Sequence, residues 1–184
     1  SGSTAYDSAG TNNGTISNAT WAAGHESSYC LNFNPASSTV SLPTAALSGI
    51  NNRITVAFWE YGAGTGTQYP FYGYGDTGGR IEVLMPDPSG YIIWVADSSW
   101  TDQIYKSPAS GDYLGRWNHW AFTKNTSTGA MIMYLNGASY QTGLGKTRPM
   151  NGSGASTLLI SNGWKGKLDD VRIYNKELTA AQVR

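Results

Sequence analysis

The sequence predicts an all-β fold in which two antiparallel sheets pack face to face as a β-sandwich. Between positions 53 and 173 nearly every periodic segment is short, rich in β-branched and aromatic residues, and bounded by Gly, Asn, Asp, Ser or Pro. Helix signals are confined to positions 178–183. A single sheet would leave one hydrophobic face in water, so two packed sheets are expected. With 184 residues, 40% of them hydrophobic, we expect residues 1–184 to form one domain.

The first clear strand is predicted at 54–59, where apolar side chains occupy both faces of a two-residue period. A strand with this pattern is covered on both sides. Two further segments, 80–85 and 91–96, flank the loop 86–90, whose prolines and glycine predict a hairpin connection.

A second pair of strands is predicted at 117–123 and 130–135. The second of these continues into Asn136-Gly137, the dipeptide that best accepts the positive φ angles of a type I′ turn, and the chain returns through 138–141. At the end, 178–183 is expected to form one helical turn capped by Thr179.

Composition excludes several classes of partner. Twelve Lys and Arg balance twelve Asp and Glu, and no window holds a basic run, so nucleic acid and anionic membranes are not favoured as partners. The longest apolar stretches fall far short of the ~20 residues that span a bilayer, so no membrane insertion is expected. Cys30 is the single cysteine, which excludes an intrachain disulfide and a cysteine-based zinc site.

Four segments in order carry a family resemblance: 54–59, 117–122, 133–137 and 166–181. The last is the most specific, because a glycine, paired acids, a Val-Arg-Ile-Tyr strand and a Leu-Thr-Ala-Ala turn occur there together. The set resembles the laminin-G-like domains of the concanavalin A-like lectin/glucanase superfamily, especially those attached to secreted bacterial polysaccharide-degrading enzymes. The resemblance implies a jelly-roll with one concave sheet. It also implies a secreted or extracellular domain of a larger multidomain chain.

A structural calcium site is predicted at the first loop. Ca²⁺ prefers hard oxygen ligands, and Asp7 and Asn12 lie in a glycine-containing loop that supplies them. The resemblance implies that this loop lies beside the late acidic strand, which would add Asp169 or Asp170. Only one of these adjacent acids can point to a given side of a regular strand. The alternative is that Asp7 and Asn12 form Asx-turns and that Asp169 pairs with Arg172 or caps backbone amides.

Aromatic residues in turn-rich segments predict a sugar-binding surface. A sugar ring needs an aromatic platform beside polar groups that pair its hydroxyls. Trp100 is the predicted platform, and Asp97, Asp102 and Gln103 are the predicted hydrogen-bonding groups. Tyr72 and Tyr74 are expected to extend the site. The turn-rich segments hold Tyr69, Tyr72, Tyr74, Trp94, Trp100, Tyr105 and Tyr113.

The remaining aromatic and imidazole side chains are interpreted as structural. His119 is expected to be packed in its strand and His25 to lie on a surface loop, and the two give little support for zinc. The strand aromatics Phe58, Trp59, Trp117, Trp120 and Phe122 are assigned to the core.

The sequence therefore predicts a non-catalytic carbohydrate-binding domain that holds a glycan or polysaccharide. Retaining glucanases place two carboxylates about 5 Å apart on one face, and no such strand motif occurs among the twelve acids. A structural or adhesive protein-interaction domain is the first alternative. A glycan hydrolase or lyase with a non-standard site is the second.

Overall fold

A computed structural model describes residues 2–65, 68–75 and 79–183. Two antiparallel sheets of eight and seven strands form a sandwich, which confirms the predicted fold class. No helix in the described part of the chain is long and apolar enough to cross a membrane. The strands are β1 (Thr4–Ala5), β2 (Gly14–Ser17), β3 (Thr20–Ala23), β4 (Tyr29–Phe33), β5 (Thr39–Ser41), β6 (Arg53–Gly62), β7 (Tyr69–Tyr74), β8 (Arg80–Leu84), β9 (Ile92–Ala96), β10 (Gln103–Lys106), β11 (Asn118–Asn125), β12 (Ala130–Leu135), β13 (Ala138–Gly143), β14 (Thr157–Asn162) and β15 (Gly166–Tyr174).

The eight-stranded sheet has the order β1-β2-β5-β14-β7-β8-β9-β10, and the seven-stranded sheet has the order β13-β12-β11-β6-β15-β4-β3. Among the described residues, three short 3₁₀ turns connect strands, at Thr44–Leu47, Ser110–Asp112 and Gly152–Gly154. All three predicted hairpins form: β8 pairs with β9, β11 with β12, and β12 with β13. Asn136 and Gly137 have φ angles of 51° and 76°, as the predicted type I′ turn requires.

Alternation along β6 and β11 places one set of side chains between the sheets. Phe58 lies opposite Trp120, and Val56 lies opposite Phe122. These four residues are at most 1% exposed and belong to the main core cluster. Trp94 of the other sheet enters the same core, and its indole N–H donates to the Thr123 carbonyl across the sandwich at 3.0 Å.

Each sheet also carries a smaller apolar cluster on its outer face. On the seven-stranded sheet, Leu178 and Val183 from the C-terminal segment cover Ala57, Ala121 and Tyr134. The segment forms a turn, in which the amides of residues 182 and 183 donate to the carbonyl of residue 179.

On the eight-stranded sheet, the outer cluster consists of Leu84, Ile93 and Val95, and the rings of Tyr69 and Trp100 pack on it. From the inside outwards, this side of the molecule consists of the main core, the eight-stranded sheet and a layer of aromatic side chains. This outer layer holds the candidate site.

Candidate functional site

The outer side of the eight-stranded sheet carries several aromatic rings in contact with one another. Tyr72 and Tyr74 lie two residues apart on β7, so they share a face opposite to the buried Phe71. The Tyr72 ring centroid lies 6.0 Å from that of Tyr74 and 5.1 Å from that of Tyr69. At the sheet edge, the Tyr91 and Tyr105 rings meet at 5.4 Å. We call this surface the aromatic face; it consists of Tyr69, Tyr72, Tyr74, Tyr91, Trp100 and Tyr105.

The loop that presents Trp100 is shaped by Asp97. The buried carboxylate of Asp97 accepts the backbone N–H groups of Ser99, Thr101 and Asp102 at 3.1 to 3.2 Å. Burial opposes ionisation of Asp97, but these donors together outweigh it, so its pKa lies below the usual range. Trp100 sits in this loop with a φ angle of 58°, a conformation that non-glycine residues adopt where local contacts enforce it.

A charged pair lies among the rings of the aromatic face. The Arg80 guanidinium lies 4.7 Å from the ring centroid of Tyr74 and 5.0 Å from that of Trp100, within cation–π range of both. It also contacts the Glu82 carboxylate at 3.4 Å. Glu82 is fully buried, and burial raises its pKa to about 7 despite the nearby cation. Neither Arg80 nor Glu82 is among the residues that the sequence predicts for the site.

Four of the six residues predicted for sugar binding lie on the aromatic face or beside it. Gln103 lies in one cross-strand row with Val95, Glu82 and Tyr72. Its side-chain amide donates a hydrogen bond to the Trp100 carbonyl at 3.0 Å. Trp100 and Tyr74 complete the group, joined through Arg80.

The structure gives Asp97 and Asp102 different roles from the predicted one. Their exposed fractions are 0% and 3%, so neither can line a surface for sugar hydroxyls. Asp97 holds its own loop, as described above. Asp102 faces inward, where its carboxylate pairs with the buried Lys124 ammonium at 2.8 Å and accepts the Arg148 N–H at 2.8 Å.

The predicted calcium ligands fall into two groups that no described hydrogen bond or ion pair connects. In the first loop, the Asp7 carboxylate accepts N–H groups from residues 9, 10 and 12, and its own N–H donates to Asn13 Oδ1. These donors hold the pKa of Asp7 below its usual value. Asp7 and Asn13 supply oxygen atoms of the kind that calcium prefers, but both Asp7 carboxylate oxygens already accept backbone N–H groups, as in the alternative of Asx-turns.

The Asp169 carboxylate also caps backbone amides. Its Oδ2 atom accepts the N–H groups of residues 25, 26 and 27 at 2.7 to 3.2 Å, and its Oδ1 atom accepts the Ser27 hydroxyl. Asp170 pairs with Arg172 at 2.8 Å. In the described part of the chain, no group of three or more His, Cys, Asp or Glu side chains is placed to hold a metal. The hydrogen bonds of Asp169 match the alternative of a carboxylate that caps backbone amides.

Two strand aromatics assigned to the core lie elsewhere. Trp59 and Trp117 are only partly buried and stand on the outer face of the seven-stranded sheet, where both contact the exposed His25. In β6, Trp59 alternates with Phe58, so it must face away from the core. The two-residue alternation of β6 predicts this orientation of Trp59. Because both faces of β6 carry apolar side chains, the sequence did not indicate that the second face is only partly buried.

Comparisons with known proteins support the fold assignment. A laminin G family model, described as concanavalin A-like lectin/glucanases superfamily, matches residues 34–184. No curated protein sequence matches the chain.

Several solved structures share the fold. Domain 4 of AbnA, an extracellular GH43 arabinanase from Geobacillus stearothermophilus, was solved in complex with arabinotriose; it is 23% identical, with a TM-score of 0.70 over 96% of this chain and 89% of that chain. A structure of botulinum neurotoxin type C, a toxin whose cell entry depends on interaction with two ganglioside molecules, is 13% identical. Its TM-score is 0.63, and the match covers 94% of this chain and 45% of that chain. The binding domain of botulinum neurotoxin DC, in complex with rat synaptotagmin II, is 11% identical, with a TM-score of 0.60 over 96% and 48%. The chain therefore spans less than half the length of these toxin chains.

Proposed function

Because the chain belongs to the laminin G family of the concanavalin A-like lectin/glucanases superfamily, we propose that it is a non-catalytic carbohydrate-binding domain whose aromatic face holds an extended glycan. Similar folds occur in a domain solved with arabinotriose and in a toxin that interacts with gangliosides. The observation that carries the proposal is the row of neighbouring rings, 5.1 to 6.0 Å apart, beside Gln103 and Arg80.

The chemistry of the aromatic face suits a polysaccharide. Sugar rings present apolar C–H faces, which pack on tyrosine and tryptophan rings, and hydroxyl groups, which need polar partners. Gln103 supplies an amide and Arg80 supplies N–H donors at the margin of Tyr74 and Trp100. An open surface of this kind contacts a run of sugar residues without enclosing them.

The placement of Glu82 supports binding without catalysis. Glu82 is the carboxylate beneath the rings, and its side chain has no exposed surface. A glycoside hydrolase needs two carboxylates that reach the scissile bond from opposite sides. We therefore propose that the domain acts outside the cell by tethering an attached protein to its polysaccharide, which raises the local substrate concentration.

Replacing Trp100 or Tyr72 by alanine is expected to weaken polysaccharide binding about tenfold each, because each change removes one stacking ring. Affinity gel electrophoresis against soluble neutral polysaccharides, beginning with arabinan, measures the effect. Tyr29→Ala is the matched control, since Tyr29 is 68% exposed and lies on β4 of the other sheet.

Equal retention of Trp100→Ala, Tyr72→Ala and the unaltered protein would overturn the assignment of the aromatic face. Incubation with the same polysaccharides also tests the non-catalytic role. New reducing or unsaturated ends would instead identify a hydrolase or lyase.

We further propose that the first loop binds a structural calcium ion through Asp7 and Asn12. A ligand that binds only the folded state adds RT ln(1 + [L]/Kd) to stability, so a chelator is expected to lower the melting temperature and Asp7→Ala to do the same. Thermal unfolding with added calcium and with chelator measures both effects.

Asp169→Asn serves as the control for the calcium experiment. It is expected to lower the melting temperature equally with and without chelator, because Asp169 accepts hydrogen bonds from residues 25–27. A melting curve of the unaltered protein that does not respond to chelator would remove calcium from the first loop.

A further inference from the structure

A cleft of about 560 Å³ opens on the outer face of the seven-stranded sheet, on the opposite side of the sandwich from the aromatic face. Its volume falls within the range of about 300–1,000 Å³ that is typical of small-molecule sites. The C-terminal residues Leu178 and Val183 close one side. The polar and aromatic lining residues that matter here are Glu26, Trp59, His119, Asn136, Asp170 and Arg172.

Trp59 belongs to a cluster of rings at this cleft. Its ring centroid lies 4.3 Å from that of His25 and 5.2 Å from that of His119. Trp117 stacks on His25 at 5.3 Å with an angle of 16° between the ring planes, and Tyr61 contacts Trp117 at 5.8 Å. These rings contact one another, and a contiguous, partly exposed apolar patch of this kind marks binding surfaces.

Asp169 holds the turn that carries Glu26 into the cleft lining. Three backbone N–H groups of residues 25–27 donate to its buried carboxylate. These hydrogen bonds fix the turn that places His25 against Trp59 and carries Glu26 into the lining. Asp169 is therefore a positioning residue.

A β-bulge in β15 places two further residues in the cleft lining. The register of β15 against β6 shifts between Asp169 and Arg172, and Asp170 adopts a φ angle of 49°. A bulge of this kind re-aims side chains, so Asp170 and Arg172 both line the cleft and pair at 2.8 Å. The bulge also explains why the expectation of strict alternation for the two adjacent acids does not hold here.

The polar groups of the cleft match sugar hydroxyls. The Glu26 carboxylate accepts no hydrogen bond from any described residue. Burial keeps the pKa of His119 below its usual value, so the neutral imidazole offers one donor and one acceptor. Glu26 and Asp170 outnumber the single cation Arg172 in the lining, which disfavours anionic ligands.

From this arrangement we infer that the cleft is a second saccharide site, which takes a neutral sugar residue at or near a chain end and stacks it on Trp59. The choice of a sugar as ligand rests on the proposed function. Closure by the C-terminal segment favours a chain end, in contrast to the open aromatic face. The full thickness of the sandwich separates the two sites, so one domain would bind two glycan chains.

Isothermal titration with a neutral oligosaccharide, arabinotriose first, is expected to give two equivalents bound to the unaltered protein. Trp59→Ala is expected to reduce this to one equivalent, and so is the double variant Tyr72→Ala/Trp100→Ala. Glu26→Ala provides a variant at an exposed position, with an expected loss of about tenfold in affinity at the second site. Turbidity with a soluble branched arabinan reports cross-linking and should disappear when either site is removed.

The two proposals fail in different ways. Suppose that the unaltered protein binds only one equivalent of oligosaccharide. If Tyr72→Ala/Trp100→Ala abolishes this binding while Trp59→Ala and Glu26→Ala keep it, the second site is overturned and the aromatic face stands. If Trp59→Ala abolishes the single binding event while the double variant keeps it, the aromatic face is overturned as a binding site and the cleft stands. No binding of any neutral oligosaccharide or polysaccharide overturns both. Equal affinity for a uronic acid oligosaccharide contradicts the stated preference for neutral sugars.

Discussion

Asp102→Ala is expected to lower the free energy of unfolding by about 3–5 kcal/mol, because it leaves a buried ammonium without its counter-ion. The Lys124 side chain is fully buried, and its Nζ atom lies 2.8 Å from the Asp102 carboxylate. Burial lowers the pKa of Lys124, and Asp102 opposes that shift. The Ala96 carbonyl also accepts a hydrogen bond from Nζ. Because Lys124 lies on β11 and Asp102 precedes β10, the pair connects the two sheets.

A double-mutant cycle with urea denaturation tests this expectation. Lys124→Met alone is expected to destabilise the protein, because it leaves the buried Asp102 carboxylate with the Arg148 N–H as its remaining donor. The double variant Asp102→Ala/Lys124→Met is expected to be less destabilised than the sum of the single changes. Strict additivity would contradict the interaction. Sugar binding by folded Asp102→Ala is expected to persist, since Asp102 is 3% exposed and does not reach the aromatic face.

The stability of the protein is expected to fall as the pH rises from about 4.5 to about 8, through the buried Glu60. Burial raises the pKa of Glu60 from 4.5 to about 8, although Asn118 donates a hydrogen bond to one carboxylate oxygen at 3.3 Å. Between these two pH values the folded state keeps the proton that the unfolded state releases. The stabilisation is complete below pH 4.5 and is lost as the pH passes the folded pKa. The loss reaches about 5 kcal/mol, since one pKa unit corresponds to about 1.4 kcal/mol.

Glu60→Gln is expected to remove most of this pH dependence, because glutamine keeps the shape and carries no charge. Urea denaturation at pH 5 and pH 9 measures the effect. The variant should be more stable than the unaltered protein at pH 9. Glu82→Gln is the comparison. Because the pKa of Glu82 is raised only to about 7, its loss of stability with pH ends at a lower pH than that of Glu60. The same slope with pH in the unaltered protein and in Glu60→Gln would contradict the assignment.

The fold class could be predicted from the sequence because the long strands β6 and β11 carry a clear two-residue alternation. The two-residue period of β6 and β11 and the Asn136-Gly137 turn determine local structure through backbone sterics and burial, which act over neighbouring residues. The strands before residue 53, and β7, β10 and β14 after it, were not predicted individually. β3, for example, is four residues long with the sequence TWAA and has mostly exposed side chains, so no hydrophobic period marks it.

The candidate site was predictable in part. Tyr72, Tyr74 and Trp100 were predicted from the aromatic residues of turn-rich segments, but strand β7, which places the two tyrosines on one face, was not predicted. The roles of Asp97 and Asp102 depend on contacts that sequence spacing does not reveal, because Lys124 reaches Asp102 from a core strand of the other sheet. The cleft at Trp59 depends on the bulge in β15 and on the distant turn at residues 25–27, and both are products of tertiary structure.

The position of β15 has a consequence for how the chain acquires its structure. This strand, the last of the described strands, lies between β6 and β4, so the two neighbours that it joins are synthesised more than a hundred residues earlier. Until residues 166–174 have emerged from the ribosome, β4 and β6 have no partner between them and expose unpaired edges. Such non-local pairing slows folding and prolongs the exposure of aggregation-prone strands. The nascent domain is thus most vulnerable just before residues 166–174 emerge, when nearly all of its core residues are present but the seven-stranded sheet is still divided.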